Sequence, residues 1–199
     1  MNLPTERQCL NYFVQYKVPQ NIFNHCNKVR EVAVSLARKI NEQGGSLNIE
    51  LINCAAFLHD LFKMVSLESL DNNRFHQVTY TDEEKAMWNL LRVKYPQMKE
   101  HEAAYSFFKE EYPELALTLF RSNDFKIKDK TAEEWLIHYA DWRVYKNEVV
   151  TLNQRMDYLK QVYPREKGLW EQDLKKIQFY EEQLFSQIKE DLILLFKNG

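Results

Sequence analysis

The sequence predicts an all-α protein, a helical bundle with an additional helix at its C-terminal end. Apolar residues recur at intervals of three and four along most of the chain, which is the period of an amphipathic helix. Three segments begin with a threonine followed three residues later by Gln or Glu, the capping-box pattern of a helix N-terminus. The 199 residues include only 4 glycines and 5 prolines, too few for the many tight turns of a β-protein.

Composition narrows the class of protein further. The hydrophobic fraction of 45% and charged fraction of 28% are typical of one soluble globular domain. A net charge of −2 favours neither a nucleic acid polymer nor an anionic membrane as partner. The chain has neither a run of 18 apolar residues nor the apolar segment of a signal peptide at its start. Cys9, Cys26 and Cys54 form no CxxC pair and read as free thiols. We therefore expect a cytoplasmic protein.

The first two helices are defined by a cap, a proline and an apolar stripe. Thr5 and Gln8 form a capping box, and the helix that they open ends before Pro19. The second helix is predicted over residues 21–40. His25 lies on its apolar stripe, either as a buried ring that is hydrogen-bonded to the backbone or as a ligand.

A third helix follows two consecutive glycines. Ser46 or Asn48 can cap it, and its apolar residues continue up to His59. Residues 64–80 are then polar and irregular and include His76. They form either a mobile cover for a site or an ordinary solvated connection, and the second reading is favoured.

Three shorter helices are predicted in the middle of the chain. Thr81 and Glu84 form the capping box of the first, which ends before Pro96. The second covers residues 101–111. Pro113 opens the third, since proline is favoured at the first helical position.

The longest apolar pattern predicts one helix over residues 135–162, after a capping box of Thr131 and Glu134. Asp141 lies on the apolar face of this pattern. A carboxylate in that place is costly unless it is paired or bound to a metal. It therefore forms a buried ion pair, with Arg143 or another arginine, or it is a metal ligand.

The C-terminal part of the chain predicts a helix over residues 169–196, with apolar residues at intervals of four and three and Glu181 interrupting the stripe. We divide the chain into a main helical domain of residues 1–165 and an appended helix within residues 166–199. That helix either packs on the main domain or forms the contact of a homodimer.

Four residues of the predicted helices are potential metal ligands. His59 and Asp60 are adjacent, so their side chains point about 100° apart, yet both can reach one point beside the helix end. His25 and Asp141 complete a set of two imidazoles and two carboxylates, which suits Mn, Fe, Co, Ni or Zn better than Ca. Water in the remaining positions of one such divalent ion becomes a hydroxide source near neutral pH. The sequence contains none of the GxxxxGK[ST], GxGxxG, GxSxG or HExxH motifs.

Three stretches resemble the HD-domain metal-dependent phosphohydrolases, over residues 18–159. They are VPQNIFNH at residues 18–25, AAFLHDLFK at 55–63 and YADWR at 139–143, in the order of that family. The resemblance implies a helical bundle of the HD-domain type. It also implies that the metal ligands are His25, His59, Asp60 and Asp141.

The chain departs from the family pattern in two places. Leu61 and Phe62 replace the usual Ile-Gly, which changes packing more than chemistry. Family members with two metals have further histidines, and His101, with Glu102 beside it, matches one of them. Residues 120–123, where another is expected, contain no histidine. The resemblance therefore favours a single metal ion.

These observations predict a hydrolase that cleaves a phosphoester of a small metabolite or nucleotide by attack of metal-activated water. Asp60 can accept a proton from that water. Lys63 can contact the phosphate, and His101 can act as a substrate contact or general acid. Arg30 and Arg143, with Glu102, are weaker candidates for substrate contact. The alternatives are an HD-type regulatory module that binds metal without turnover, and a helical protein-interaction module.

Overall fold

A computed structural model describes residues 1–67, 79–163, 165–166 and 168–188 of the chain. Within these ranges the chain forms ten helices and one two-stranded hairpin, so the all-α prediction is confirmed. His76 and the predicted helical residues 189–196 lie outside the described part. The elements are α1 (Glu6–Gln15), α2 (Gln20–Glu42), α3 (Ile49–Leu58), α4 (Lys63–Ser66), α5 (Asp82–Lys94), α6 (Glu100–Phe108), α7 (Pro113–Ser122), α8 (Ala132–Trp142), β1 (Val144–Tyr145), β2 (Glu148–Val149), α9 (Leu152–Val162) and α10 (Leu169–Ile188).

Helices α2, α3 and α8 form the centre of the bundle, where each contacts the other two. The buried face of α2 follows the three/four spacing of its apolar residues: Cys26, Val29, Val32, Ala33, Leu36 and Ala37. On α3 the small side chains of Ala55 and Ala56 are fully buried, or nearly so, and allow close approach of neighbouring helices. Burying a large apolar side chain contributes about 1.5–3 kcal/mol, so this core holds the three helix ends in fixed positions.

Side-chain caps fix where the helices begin. The capping boxes that begin at Thr5, Thr81 and Thr131 are all formed, as predicted. Of the two candidates for α3, Asn48 is the cap, and its side chain accepts a hydrogen bond from the backbone of Leu51 at 3.0 Å. Each such cap stabilises its helix by about 1 kcal/mol. Local sequence therefore sets the start of these helices.

The prediction of one helix over residues 135–162 is wrong. Helix α8 ends at Trp142, and β1 then pairs with β2 in an antiparallel hairpin. Lys146 in the turn has a φ of 57°, a left-handed conformation that interrupts a right-handed helix. A fourth capping box, of Thr151 and Gln154, opens α9. The apolar spacing continues across this break, which is why periodicity alone did not reveal it.

Arg143 is hydrogen-bonded to the backbone at the end of the hairpin. Its Nε donates to the backbone oxygen of Val150 at 2.7 Å, and the backbone N–H of Val150 donates to the oxygen of Arg143 at 2.8 Å. Val149 and Val150 are β-branched, which favours extended backbone over helix. Tertiary hydrogen bonds and local propensity therefore both favour the break.

Helix α10 packs on α8 over the residues that the structure describes. The ring of Tyr180 stacks on Trp135 with centroids 5.4 Å apart. Glu181, which interrupts the apolar stripe, accepts a hydrogen bond from the hydroxyl of Tyr139 at 2.6 Å and pairs with the buried Arg143. The charge in the stripe thus has a partner in the main domain. The homodimer contact and the boundary at residue 165 stay predictions.

The described helices differ from membrane-spanning helices. None of them combines the length and the apolar character that crossing a bilayer demands.

A buried pair of basic side chains lies between α7 and α8. Lys130 donates from Nζ to the backbone oxygen of Ser122 at 2.6 Å and to Nδ1 of His138 at 2.8 Å. Burial and the charge of Lys130 hold the pKa of His138 well below its usual range. Burial lowers the pKa of Lys130 to about 8. The folded protein therefore keeps His138 neutral where an unfolded chain would protonate it.

We expect His138→Gln, which keeps an acceptor for Lys130, to lose part of the acid sensitivity of the fold. Below a pH of about 6.5 the unfolded wild type binds a proton at His138 that the folded state does not bind. The free energy of unfolding of the wild type should therefore fall, relative to the variant, by about 1.4 kcal/mol per pH unit. Urea titrations at pH 7.5, 6.5 and 5.0 measure this difference. Parallel pH profiles of the two proteins would contradict it.

Candidate metal centre

The packing of α2, α3 and α8 brings His25, His59 and Asp60 together and places Asp141 beside the two imidazoles. His25 is on the first turns of α2, His59 and Asp60 directly follow α3, and Asp141 is near the end of α8. Potential ligand atoms of His25, His59 and Asp60 all lie within 4.8 Å of one another. Oδ1 of Asp141 lies 3.0 Å from Nε2 of His25 and 3.8 Å from Nε2 of His59.

The 3.0 Å spacing between His25 and Asp141 fits two neighbouring donors of one ion, whereas the 3.8 Å spacings from His59 to the two carboxylates are wider and have to shorten when an ion binds. Metal–ligand bonds of about 2.1 Å place neighbouring donors about 3.0 Å apart at a right angle and about 3.4 Å apart at the tetrahedral angle. Nε2 of His59 is buried and has no hydrogen-bond partner among the described residues. A buried nitrogen without a partner is destabilising unless another group uses its lone pair. The arrangement can therefore hold a divalent metal.

Backbone carbonyls orient both imidazoles. Nδ1 of His59 lies 2.8 Å from the oxygen of Ala56, and Nδ1 of His25 lies 3.1 Å from the oxygen of Lys146. A carbonyl oxygen only accepts, so Nδ1 of each ring carries a proton, and Nε2 is the nitrogen that can coordinate a metal when it carries none. A hydrogen bond from Nδ1 to a carbonyl is how metal-binding histidines are usually oriented. Both Nε2 atoms face the carboxylate of Asp141. The carbonyl of Lys146 comes from the hairpin that the sequence did not predict.

The local charges favour a cation. Burial by itself raises the pKa of Asp141, but the hydrogen bond to His25 and the charge of His59 hold that pKa well below its usual range. Burial by itself lowers the pKa of His59, but Cys26, Asp60 and Asp141 raise it to about 9. Burial raises the pKa of Cys26, and the neighbouring His59 opposes this rise. The carboxylates that attract a proton to this place attract a metal ion as well.

Lys63 lies beside these four residues. Its Nζ is 3.4 Å from Oδ1 of Asp60 and 3.4 Å from Oε1 of Glu100. Burial by itself raises the pKa of Glu100, and the charge of Lys63 lowers it to about 2. The carboxylates around Lys63 raise its own pKa, against the effect of burial, so the ammonium stays charged. Glu100 was not predicted as a site residue, because no motif in the sequence marks it.

His101 is not part of the group of ligand atoms within 4.8 Å that the described residues form. Its ring lies against Phe120, with centroids 5.5 Å apart. Glu102 accepts a hydrogen bond from the backbone N–H of Lys99 at 2.7 Å, and so serves the start of α6. The role of His101 as a substrate contact or acid stays a prediction.

The arginines near the candidate metal centre have other partners than the sequence predicts. Arg30 donates to Glu6 at 3.0 Å and to Asn27 at 2.7 Å. Arg143, one of the proposed partners of Asp141, is committed to the hairpin and to α10 instead. The arginine beside Asp141 is Arg155 on α9, with Nη2 3.5 Å from Oδ1. No sequence signal marks Arg155 as long as α8 and α9 are taken for one helix.

Comparisons with known proteins identify one family for this chain. The family model described as HD domain matches residues 22–145. A tRNA (cytidine(56)-2'-O)-methyltransferase of Thermoplasma volcanium is 34% identical over 59 residues, which are 30% of this chain and 16% of that protein. The chain thus matches about a sixth of that relative's length. No solved structure matches the chain. Since the family model covers more than half of the sequence and includes all four potential ligands, this chain belongs to the HD-domain family.

Proposed function

We propose that the protein is a metal-dependent phosphohydrolase that cleaves a phosphoester of a small metabolite or nucleotide. The HD-domain family indicates the metal-dependent phosphohydrolase superfamily. The observation that carries the proposal is the buried Nε2 of His59, which lacks a hydrogen-bond partner in the described part of the chain and faces two carboxylates. A purely structural core histidine would be expected to use both ring nitrogens.

In this proposal His25, His59, Asp60 and Asp141 hold one divalent transition-metal ion, of Mn, Fe, Co, Ni or Zn. Two imidazoles and two carboxylates suit these ions. Such an ion, when bound, lowers the pKa of a water and neutralises charge on a phosphoryl oxygen. Four protein donors leave room for that water and for the substrate around an ion of six-fold coordination.

The chain's own residues supply the proton acceptor and a phosphate contact. A carboxylate oxygen of Asp60 can take a proton from the attacking water. Nζ of Lys63 can donate to a phosphoryl oxygen, because its contacts to Asp60 and Glu100, at 3.4 Å, are longer than the usual 2.7–2.9 Å or so of charge-assisted hydrogen bonds. A phosphate can therefore compete for this ammonium.

We expect the protein, purified without chelator, to contain close to one transition-metal ion per chain. Elemental analysis measures this stoichiometry, and a metal-supplemented screen of phosphorylated metabolites and nucleotides measures turnover. Bound ion with turnover supports the hydrolase. Bound ion without turnover on any substrate would favour the regulatory module instead. A chain that stays free of metal after incubation with Mn, Co, Ni and Fe would refute the metal site and favour the interaction module.

A further inference from the structure

Arg155 presents an unused hydrogen-bond donor beside the metal centre. Its Nη2 lies 3.5 Å from Oδ1 of Asp141, which is longer than the usual charge-assisted hydrogen bond of about 2.7–2.9 Å. Only 12% of the Arg155 side chain is exposed. Its Nε is buried and has no hydrogen-bond partner among the described residues. A buried donor without a partner is destabilising, so the contacts of the described residues do not account for this guanidinium, and its long contact through Nη2 leaves that nitrogen free to donate to a ligand.

Two tyrosines hold the guanidinium in this place. The guanidinium carbon of Arg155 lies 5.5 Å from the centroid of the Tyr158 ring, one turn further along α9. The Tyr158 ring in turn lies against Tyr145 of the hairpin, with centroids 4.4 Å apart. Both rings are half-buried, so the arginine is supported by packed side chains. Its orientation is therefore set before any ligand arrives.

The charges of the site match an anion. Arg155 lies beside Asp141, and Lys63 lies beside Asp60 and Glu100. With His59 neutral, as a metal ligand is, three carboxylates against two cations leave one negative charge. A divalent ion on the proposed ligands would change this to one positive charge. With two cationic side chains at its edges, such a site favours an anionic group between them.

We propose that Arg155 binds a phosphoryl oxygen of the substrate and that Tyr158 positions its guanidinium. This inference rests on the proposed phosphohydrolase function and adds a phosphate-binding residue to it. The planar fork of a guanidinium matches two oxygens of a phosphate group. Lys63 near Asp60 and Arg155 near Asp141 then both contribute positive charge to the phosphoryl site.

The test is the binding of inorganic phosphate to the full-length protein loaded with the ion that it retains, by isothermal titration calorimetry. We expect Arg155→Met to weaken phosphate binding roughly 10- to 100-fold, with metal content unchanged. Arg155→Lys keeps the charge but not the fork and should show an intermediate loss. The exposed Arg7→Met on α1 is the matched control and should bind as the wild type does. Circular dichroism checks the folding of each variant.

Several outcomes would overturn this role. Unchanged phosphate affinity in both Arg155 variants would do so. So would a loss confined to metal affinity, which would make Arg155 a positioning residue for Asp141, and so would a wild type that does not bind phosphate. Tyr158→Phe keeps the ring and should bind phosphate normally, whereas Tyr158→Leu should bind it more weakly. The same affinity in both would refute the role of Tyr158.

Binding does not need turnover, so the two proposals can fail separately. Phosphate binding that depends on Arg155, in a protein that hydrolyses no substrate, would support this inference and contradict the hydrolase. Turnover together with unchanged phosphate affinity of Arg155→Met would support the hydrolase and refute the inference.

Discussion

His59→Ala is expected to abolish retention of the metal ion and to reduce phosphohydrolase turnover to background. Nε2 of His59 lies 3.8 Å from a carboxylate oxygen of Asp60 and 3.8 Å from one of Asp141. The substitution therefore removes the proposed metal-binding nitrogen that lies beside both carboxylates. The cavity that the substitution leaves should cost about 2–4 kcal/mol, less than the typical stability of about 5–15 kcal/mol. Elemental analysis measures the ion, and urea denaturation measures the free energy of unfolding.

Asp141→Asn tests the same site without making a cavity, because it changes a charge and almost no volume. It should weaken metal binding and leave the helix content unchanged. Asp157→Asn, an exposed carboxylate on α9, is the matched control and should keep its ion. If His59→Ala and Asp141→Asn both unfold, with no loss of metal that can be separated from unfolding, these residues are structural and the metal site is refuted.

Lys63→Met is expected to lower kcat by roughly 10²- to 10³-fold, the usual effect of removing one donor to a charged transition state. Metal content should stay at the wild-type level, since Lys63 is not among the proposed ligands. The measurement is steady-state turnover of the best substrate from the screen, with the ion quantified in the same preparation. Lys17→Met removes a lysine whose partner, Glu83, is exposed, and should leave kcat unchanged. A full kcat in Lys63→Met would contradict a phosphate contact.

The same assay tests His101. If its imidazole is a substrate contact or general acid, His101→Ala should lower turnover by roughly 10²- to 10⁴-fold with one ion still bound. Its ring lies against Phe120, and the neighbouring Glu100 contacts Lys63, so this is a test of a residue at the edge of the site. Unchanged turnover would make His101 an ordinary residue of α6, and loss of one of two ions would make it a ligand.

Much of the fold could be predicted from the sequence because the signals are local. A capping box such as that of Thr5 and Gln8 joins residues three apart, and an amphipathic stripe repeats within two turns of a helix. The four potential ligands were also visible, since polar side chains such as His25 and Asp141 stand out on apolar stripes. The structure places His25, His59 and Asp60 close together, with Asp141 beside the imidazoles, and the assignment of all four as metal ligands stays a prediction.

The break after α8 shows where a local pattern fails. Leu152, Met156 and Leu159 continue the spacing of α8 and are buried, as predicted, but on a second helix. The capping box of Thr151 was readable in the sequence, and it outweighs periodicity as a signal for a helix start. The hairpin at this break places a backbone carbonyl on His25 and turns α9 back, so that Arg155 meets Asp141.

By itself, therefore, the sequence determined most of the helices, most of their caps and the identity of the four potential metal ligands. Only the tertiary structure decided which groups orient and surround those donors. The carbonyl of Lys146 reaches His25 across 121 residues, and Glu100 reaches Lys63 across 37. Such contacts depend on how whole helices pack, and no local propensity or spacing encodes them. The physical reason is that caps and stripes are short-range interactions, whereas the surroundings of this site are built from long-range ones.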